Sequence, residues 1–254
     1  MSEKKMSNRF NQIGLDRLVR LEWLEKTTSY VIAGLESNDI RNILKNDLIP
    51  FFRSNNPNVR GSIDKTVTIL LKVWLRVPTE LENLRLKGLE LIKQNPQQSH
   101  IVNHWGMLMA TYPFWSAVAV QVGRLLKLQG DVKGSLIQRR IREQYGERET
   151  VSRRVRYILR SFLDWGVLHE TDIKGEYRTG FSTDVDEIQL VAWLIEASLH
   201  SRSSGSASLM DLLESPCFFP FKIKHLLSGS FLSSSSSIEI IRHGLDKEMV
   251  ILKK

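Results

Sequence analysis

Apolar positions recur at helical spacing through most of the chain. In LDRLVRLEWLEKTTSYVIAGL, residues Leu15, Leu18, Leu21 and Leu24 and, after a polar stretch, Val31 and Ile32 fall at helix-like spacings. ESNDIRNILKNDLIPFF repeats the pattern with Ile40, Ile43, Leu44 and Leu48, and Ser37 or Asn38 is the expected cap. RSNNPNVRGS reads as a loop by composition. A third helix follows in SIDKTVTILLKVWLRVP, ended by Pro78. A fourth lies in TELENLRLKGLELIKQNP, capped by Thr79 and striped by Leu81, Leu84, Leu89 and Ile92. A fifth lies in SHIVNHWGMLMATYP. Amphipathic helices joined by short loops predict a helical bundle over residues 1–105.

The pattern changes over residues 106–182. Gly106–Gly123 runs 18 residues without a charge, which is borderline for a membrane span. Its polar residues and Pro113 read instead as a break followed by a buried helix, PFWSAVAVQVGRLLKLQG, with proline in the first turn. DVKGS interrupts it. SLIQRRIREQYG forms the next helix, with Ser135 and Gln138 in capping-box spacing. ERET is a four-residue turn. TVSRRVRYILRSFLD is then a helix with Thr150 as expected cap, ended by Gly166. VLHETDIKGEYRT reads as two short strands around Ile173, Lys174 and Gly175. Residues 183–254 predict a small α+β module. It comprises a helix in DEIQLVAWLIEASLH, a linker in SRSSGSAS, a short helix in SLMDLLESP, an ambiguous FPFKIKHLLSG, a flexible Ser233–Ser237, and a hairpin turning near Gly244, Leu245 and Asp246. The fold class expected is mainly α.

Charge sharpens this picture. The net charge is +8, yet Arg124 to Arg160 holds eleven Lys and Arg against four Asp and Glu, so seven of the eight excess charges lie in 37 residues. Localised positive charge is the footprint of a nucleic-acid partner. On the helix from Thr150, residues Val151, Val155, Ile158, Leu159, Phe162 and Leu163 form one apolar stripe. Arg153, Arg156, Tyr157 and Arg160 lie on the other side, and Arg154 flanks the stripe. Duplex DNA rewards that arrangement, because its major groove admits a helix and arginine can bond guanine through two donors.

The order helix, helix, short turn, helix, hairpin resembles a winged helix-turn-helix. DWGVLHE is similar to the passage from recognition helix to wing in that superfamily. The resemblance covers roughly Pro113 to Gly180. It implies that Ser152, Arg153, Arg156 and Tyr157 read bases, with Arg154 beside them. It also implies that Arg139, Arg140, Arg142 and Arg148 meet phosphates, that Arg160 belongs to the DNA-binding face, and that Lys174 and Arg178 touch backbone or minor groove. The tail has the makings of a second, degenerate wing-like module. The whole architecture distantly resembles the BrxA family, small DNA-binding proteins of BREX bacteriophage-defence systems. The stretches carrying that resemblance are EWLEKTTSYVIAGLESNDIRNILKNDLIPFF and RYILRSFLDWGVLHE. It implies a non-catalytic bacterial component that binds double-stranded DNA and acts with other defence proteins, and the lone cysteine fits a reducing cytoplasm. The alternatives are a transcriptional regulator with the same module, or an adaptor docking the module on an acidic protein.

Catalytic chemistry finds little support. HIVNH places His100 and His104 four apart but lacks the adjacent Glu of a zinc protease, so both read as helix-surface or helix-end residues. GDVKGS lacks the spacing of a phosphate loop, and no Gly-x-Ser-x-Gly elbow is present. Asp184, Asp186 and Glu187 sit at an expected helix start. Cys217, the lone cysteine, allows no disulfide within the chain and reads as a core residue beside Phe218 and Phe219. The six tryptophans are spread along the helices as core anchors. MSEKKMSNRF lacks the apolar core of a secretory signal. The expectation is a protein without enzyme activity, cofactor, metal or membrane association.

Overall fold

The computed structural model describes residues 9–52, 59–223, 237–243 and 247–253. The order is α1 (Leu21–Ile32), α2 (Ser37–Leu48), α3 (Val59–Trp74), α4 (Glu82–Gln94), α5 (Ile101–Thr111), α6 (Pro113–Gln129), β1 (Asp131–Lys133), α7 (Gly134–Tyr145) and α8 (Glu149–Asp164). After these come β2 (Leu168–Glu170), β3 (Glu176–Thr179), β4 (Thr183–Val185), α9 (Ile188–His200), β5 (Ser206–Ser208), α10 (Leu209–Leu213), β6 (Phe221–Ile223), β7 (Ile238–His243) and β8 (Lys247–Leu252). The protein is mainly helical with a small sheet portion. No helix of the described residues is long and apolar enough to cross a membrane. The uncharged run at 106–123 is split as its proline dictates, with α5 ending at Thr111 and α6 starting at Pro113.

Every residue of α5 is buried, and α3, α4, α6 and α9 surround it. Trp193 of α9 donates from Nε1 to the Leu84 carbonyl at 2.8 Å. Gly123 lets α6 approach the turn at Pro216–Phe218. A Cβ there would collide with the Pro216 carbonyl oxygen and lie 2.9 Å from Phe219 Cβ. The expected boundary after residue 105 therefore falls inside a helix, and the expected 183–254 module shares one core with the rest.

Other differences have local causes. Residues 15–20 carry an apolar stripe, yet α1 begins only at Leu21. The backbone of Val19 is engaged by α8: its N–H donates to Ser161 Oγ at 3.0 Å, and its carbonyl accepts from Trp165 Nε1 at 2.9 Å. Those long-range bonds compete with the helical ones. DVKGS holds β1, and the expected linker SRSSGSAS contributes β5. Ser37, Thr79, Ser135 and Thr150 lie inside helical turns rather than capping them with their side chains. Gly166, at φ +70°, ends α8 as expected; only glycine tolerates that region freely.

Among the described residues, the strands form three small sheets. β1-β3-β2 is antiparallel throughout, with Asp131 opposite Arg178 and Leu168 opposite Thr179. β4 and β6 pair in parallel. β5-β8-β7 is antiparallel and contains the expected C-terminal hairpin. The turn expected at 244–246 and most of the serine run lie outside the described residues.

Candidate nucleic-acid interface

α8 is built as its sequence pattern dictates. Val151, Val155, Ile158, Leu159 and Phe162 are buried. Phe162 stacks on Trp105 of α5, with ring centroids 4.9 Å apart, and meets Trp115 of α6 edge to face at 4.8 Å. Opposite them, Arg153, Arg156 and Arg160 are exposed at spacings of three and four, forming one cationic ridge. Arg156 pairs with Glu149 at 2.7 Å. Among the described residues, no acid lies within 4.0 Å of Arg153, Arg154 or Arg160. An exposed pair such as Arg156–Glu149 is worth about 0–1 kcal/mol, so it yields readily to a phosphate.

The two flanks of the apolar stripe differ: Ser152 is covered, whereas Tyr157 is half-buried. Ser152 is 3% exposed, and its hydroxyl accepts from Arg142 at 3.1 Å. It joins α7 to α8 and cannot reach a base. Tyr157 lies on the other flank, where it lines a cleft against α1 and α3. Arg154 is half-buried on the same helix.

The remaining candidates divide by how their charges are answered. Arg142 pairs with Glu147 at 2.8 Å and, with its bond to Ser152, braces the turn between α7 and α8. Arg139 has a loose exposed partner in Glu143 at 3.7 Å. Arg148 is exposed and donates to the Tyr145 carbonyl at 3.2 Å. Arg140 is half-buried. With Arg139 and Arg124 it lines a shallow depression between α6 and α7. Arg124, exposed on α6, was not among the expected contacts, although it opens the charge-rich run.

On the hairpin, Lys174 is exposed at the tip, where Gly175 N–H donates to Glu170 Oε1 at 2.6 Å. Arg178 is paired with Asp131, directly opposite it in the sheet, at 2.9 Å. It clips β1 to β3 through an ion pair that is exposed, as Arg156–Glu149 is, and yields to a phosphate as readily. Burial, then Glu170, pushes the Tyr177 phenol up, while the positive charge of Arg160 pulls it down. α8 passes through Gly166 directly into β2 of this hairpin.

A separate polar cluster corrects the reading of His104 alone, since His100 stands at the start of α5 as a helix-end residue. His104 is fully buried, and its Nδ1 accepts from Trp74 Nε1 at 3.0 Å. Glu25 reaches His100 Nδ1 at 2.8 Å and His104 Nε2 at 3.4 Å. The acid that sequence proximity did not supply comes from α1, 75 residues away. The group ties α1, α3 and α5 together. Among the described residues, no set of three His, Cys, Asp or Glu is arranged to hold a metal.

These buried groups set a pH dependence. Burial, then the charges of Arg9 and Lys87, pushes His200 down to about 4. Burial also lowers His104, with Glu25 opposing. Unfolding returns each ring to about 6.5. Between about pH 6.5 and 4 the unfolded chain thus binds more protons, and stability falls as pH falls. For Glu25, burial favours the neutral acid, but hydrogen bonds and charge from His104 and His100 outweigh it and hold the carboxyl at about 2. Its contribution is complete above about pH 4.3 and is lost below that. The thermal midpoint should drop between pH 6.5 and 4, and His200→Gln should flatten part of that slope. A level wild-type profile over this range would contradict the assignment.

Compared with known proteins, the chain matches no family model, no curated protein and no solved structure.

Proposed function

We propose that the protein binds double-stranded DNA without catalysing a reaction on it, through a winged helix-turn-helix formed by α6 to β3. The observation that carries this reading is the ridge of Arg153, Arg156 and Arg160, exposed on a helix whose other face is locked into the core. The element order around it supports the reading. A helix, a strand, two helices and a hairpin occur in that sequence, and the strand pairs with the last hairpin strand. In that motif the second helix of the pair enters the major groove. Arg153 and Arg156, towards the N-terminal half of α8, are then placed for bases. Arg160, Arg139, Arg140, Arg148 and Arg124 are placed for phosphates, and Lys174 extends the contact from the hairpin tip.

The same strand logic recurs in the tail, where β5 follows α9 and pairs with the last strand of the β7-β8 hairpin. This supports reading the tail as a second, degenerate wing-like module fused to the common core. The resemblance to the BrxA family would place DNA binding within a bacteriophage-defence system.

Fluorescence anisotropy on a labelled random duplex, across a series of salt concentrations, tests the reading. Five or six phosphate contacts predict a log–log salt slope of about −4 to −6. An absence of binding at low salt, with the protein folded, would overturn it and favour an acidic protein as partner.

A further inference from the structure

Beside the α8 ridge lies a cleft of about 330 Å³. Its walls come from the segment before α1, from α1, from a 3-10 turn at Ile49–Phe51, from α3 and from α8. Arg17, Arg20, Trp23, Phe51, Phe52 and Tyr157 line it. Trp23 and Phe51 meet edge to face with centroids 5.6 Å apart, and Phe52 stacks on Trp23 at 6.3 Å. The Arg20 guanidinium sits 5.2 Å from the Phe51 centroid and 5.5 Å from that of Trp23. Flat apolar rings interleaved with a planar cation are what an unstacked base lies against.

An independent observation points to a ligand. Trp23 is 4% exposed, yet its Nε1 has no hydrogen-bond partner among the described residues, and neither does Nε of Arg17 or Arg20. Buried donors without acceptors are costly, and each one calls for a partner. Phe51, by contrast, is 44% exposed. The guanidinium charges are answered locally, Arg17 by Asp16 and Arg20 by Glu22 and Asp164. The cleft therefore suits a neutral ring with acceptor atoms better than a phosphate. Tyr157 is four residues after Arg153 and three before Arg160, so the cleft adjoins the proposed DNA-binding ridge.

We propose that this cleft accepts a single unstacked nucleobase of DNA bound along α8. The inference rests on the duplex-binding reading. The base would exchange its stack for the exposed Phe51 ring and, by parting Phe51 from Trp23, would bring its acceptors to the N–H groups buried beneath. Leaving a duplex costs least for a base with no pairing partner. The protein should therefore prefer a duplex carrying one.

The test compares two labelled duplexes of ~25 bp, one fully paired and one with a single unpaired 2-aminopurine at its centre. Wild type, Phe51→Ala and Trp23→Phe are measured, each first shown to be folded by circular dichroism. Wild type should bind the bulged duplex about tenfold more tightly, with the 2-aminopurine emission falling on binding. Phe51→Ala should erase that preference and leave affinity for the paired duplex within about twofold. Trp23→Phe, which keeps an aromatic ring but removes the N–H, should reduce the preference. If wild type binds both duplexes equally and the emission does not change, the cleft takes no base, while the DNA-binding reading stands. A preference undiminished in both variants would place bulge recognition elsewhere and overturn the proposal. If wild type binds neither duplex, the DNA-binding reading fails and the inference with it.

Discussion

Trp105→Ala should lower stability by about 3–5 kcal/mol, the usual cost of removing a buried tryptophan. The indole is the hub of the aromatic core. It lies within 6.0 Å, centroid to centroid, of Trp115, Phe162, Trp165, Phe219 and Phe221. Its Nε1 donates to the Cys217 carbonyl at 3.0 Å. Removing it opens a cavity, orphans that carbonyl, and undermines Phe162 and Trp165, which hold α8 in place. Domains are stable by only about 5–15 kcal/mol, so the variant should retain little margin. Equilibrium denaturation followed by far-ultraviolet circular dichroism reads the effect. A midpoint unchanged from wild type would mean that this cluster does not organise the core. Trp105→Phe, which keeps a ring but loses the N–H, should fall between the two.

The second large effect should fall on binding and leave stability alone. Arg153/Arg156/Arg160→Ala is expected to weaken duplex binding roughly 30- to 100-fold near 0.1 M salt and, with Arg160 the one phosphate contact among the three, to make the log–log salt slope shallower by about 1. All three side chains are exposed, and the single ion pair lost, to Glu149, is exposed too. Surface changes of that kind shift stability within about 0.5 kcal/mol each. A triple variant that unfolds like wild type yet binds poorly would assign the loss to the ridge. Equal affinity and equal slope in the two proteins would move DNA contact away from α8.

The legible parts of this fold were those written locally. The stripe from Val151 to Phe162 fixes both the helix and its buried face, because a 3.6-residue period over about three turns has few other solutions. The same period placed α2, α4 and α9, and Gly166 marked the end of α8. What stayed hidden depends on residues far apart in the chain. Ser206–Ser208 and Phe221–Ile223 are three-residue strands with no alternation to detect, and each exists because a distant strand pairs with it. Residues 15–20 look helical until Ser161 and Trp165 claim the Val19 backbone.

The site was legible to the same degree. The outward ridge of Arg153, Arg156 and Arg160 follows from the helix period alone. The flanks do not, because the burial of Ser152 and the partial burial of Tyr157 depend on tertiary neighbours. Arg178 reads as a free cation until the sheet register sets Asp131 opposite it. His104 reads as a surface residue until Glu25 and Trp74 are brought to it. The cleft beside the ridge is equally nonlocal, since Trp23, Phe51 and Tyr157 belong to three separate stretches.

The most direct test of the central claim is site-specific photocrosslinking to a labelled duplex. A photoreactive side chain would replace Arg153 on α8 or, as a control, exposed Lys93 on α4. The account predicts crosslinking from position 153, lost at high salt, and none from position 93. Binding with crosslinks from position 93, or with none from position 153, would contradict it.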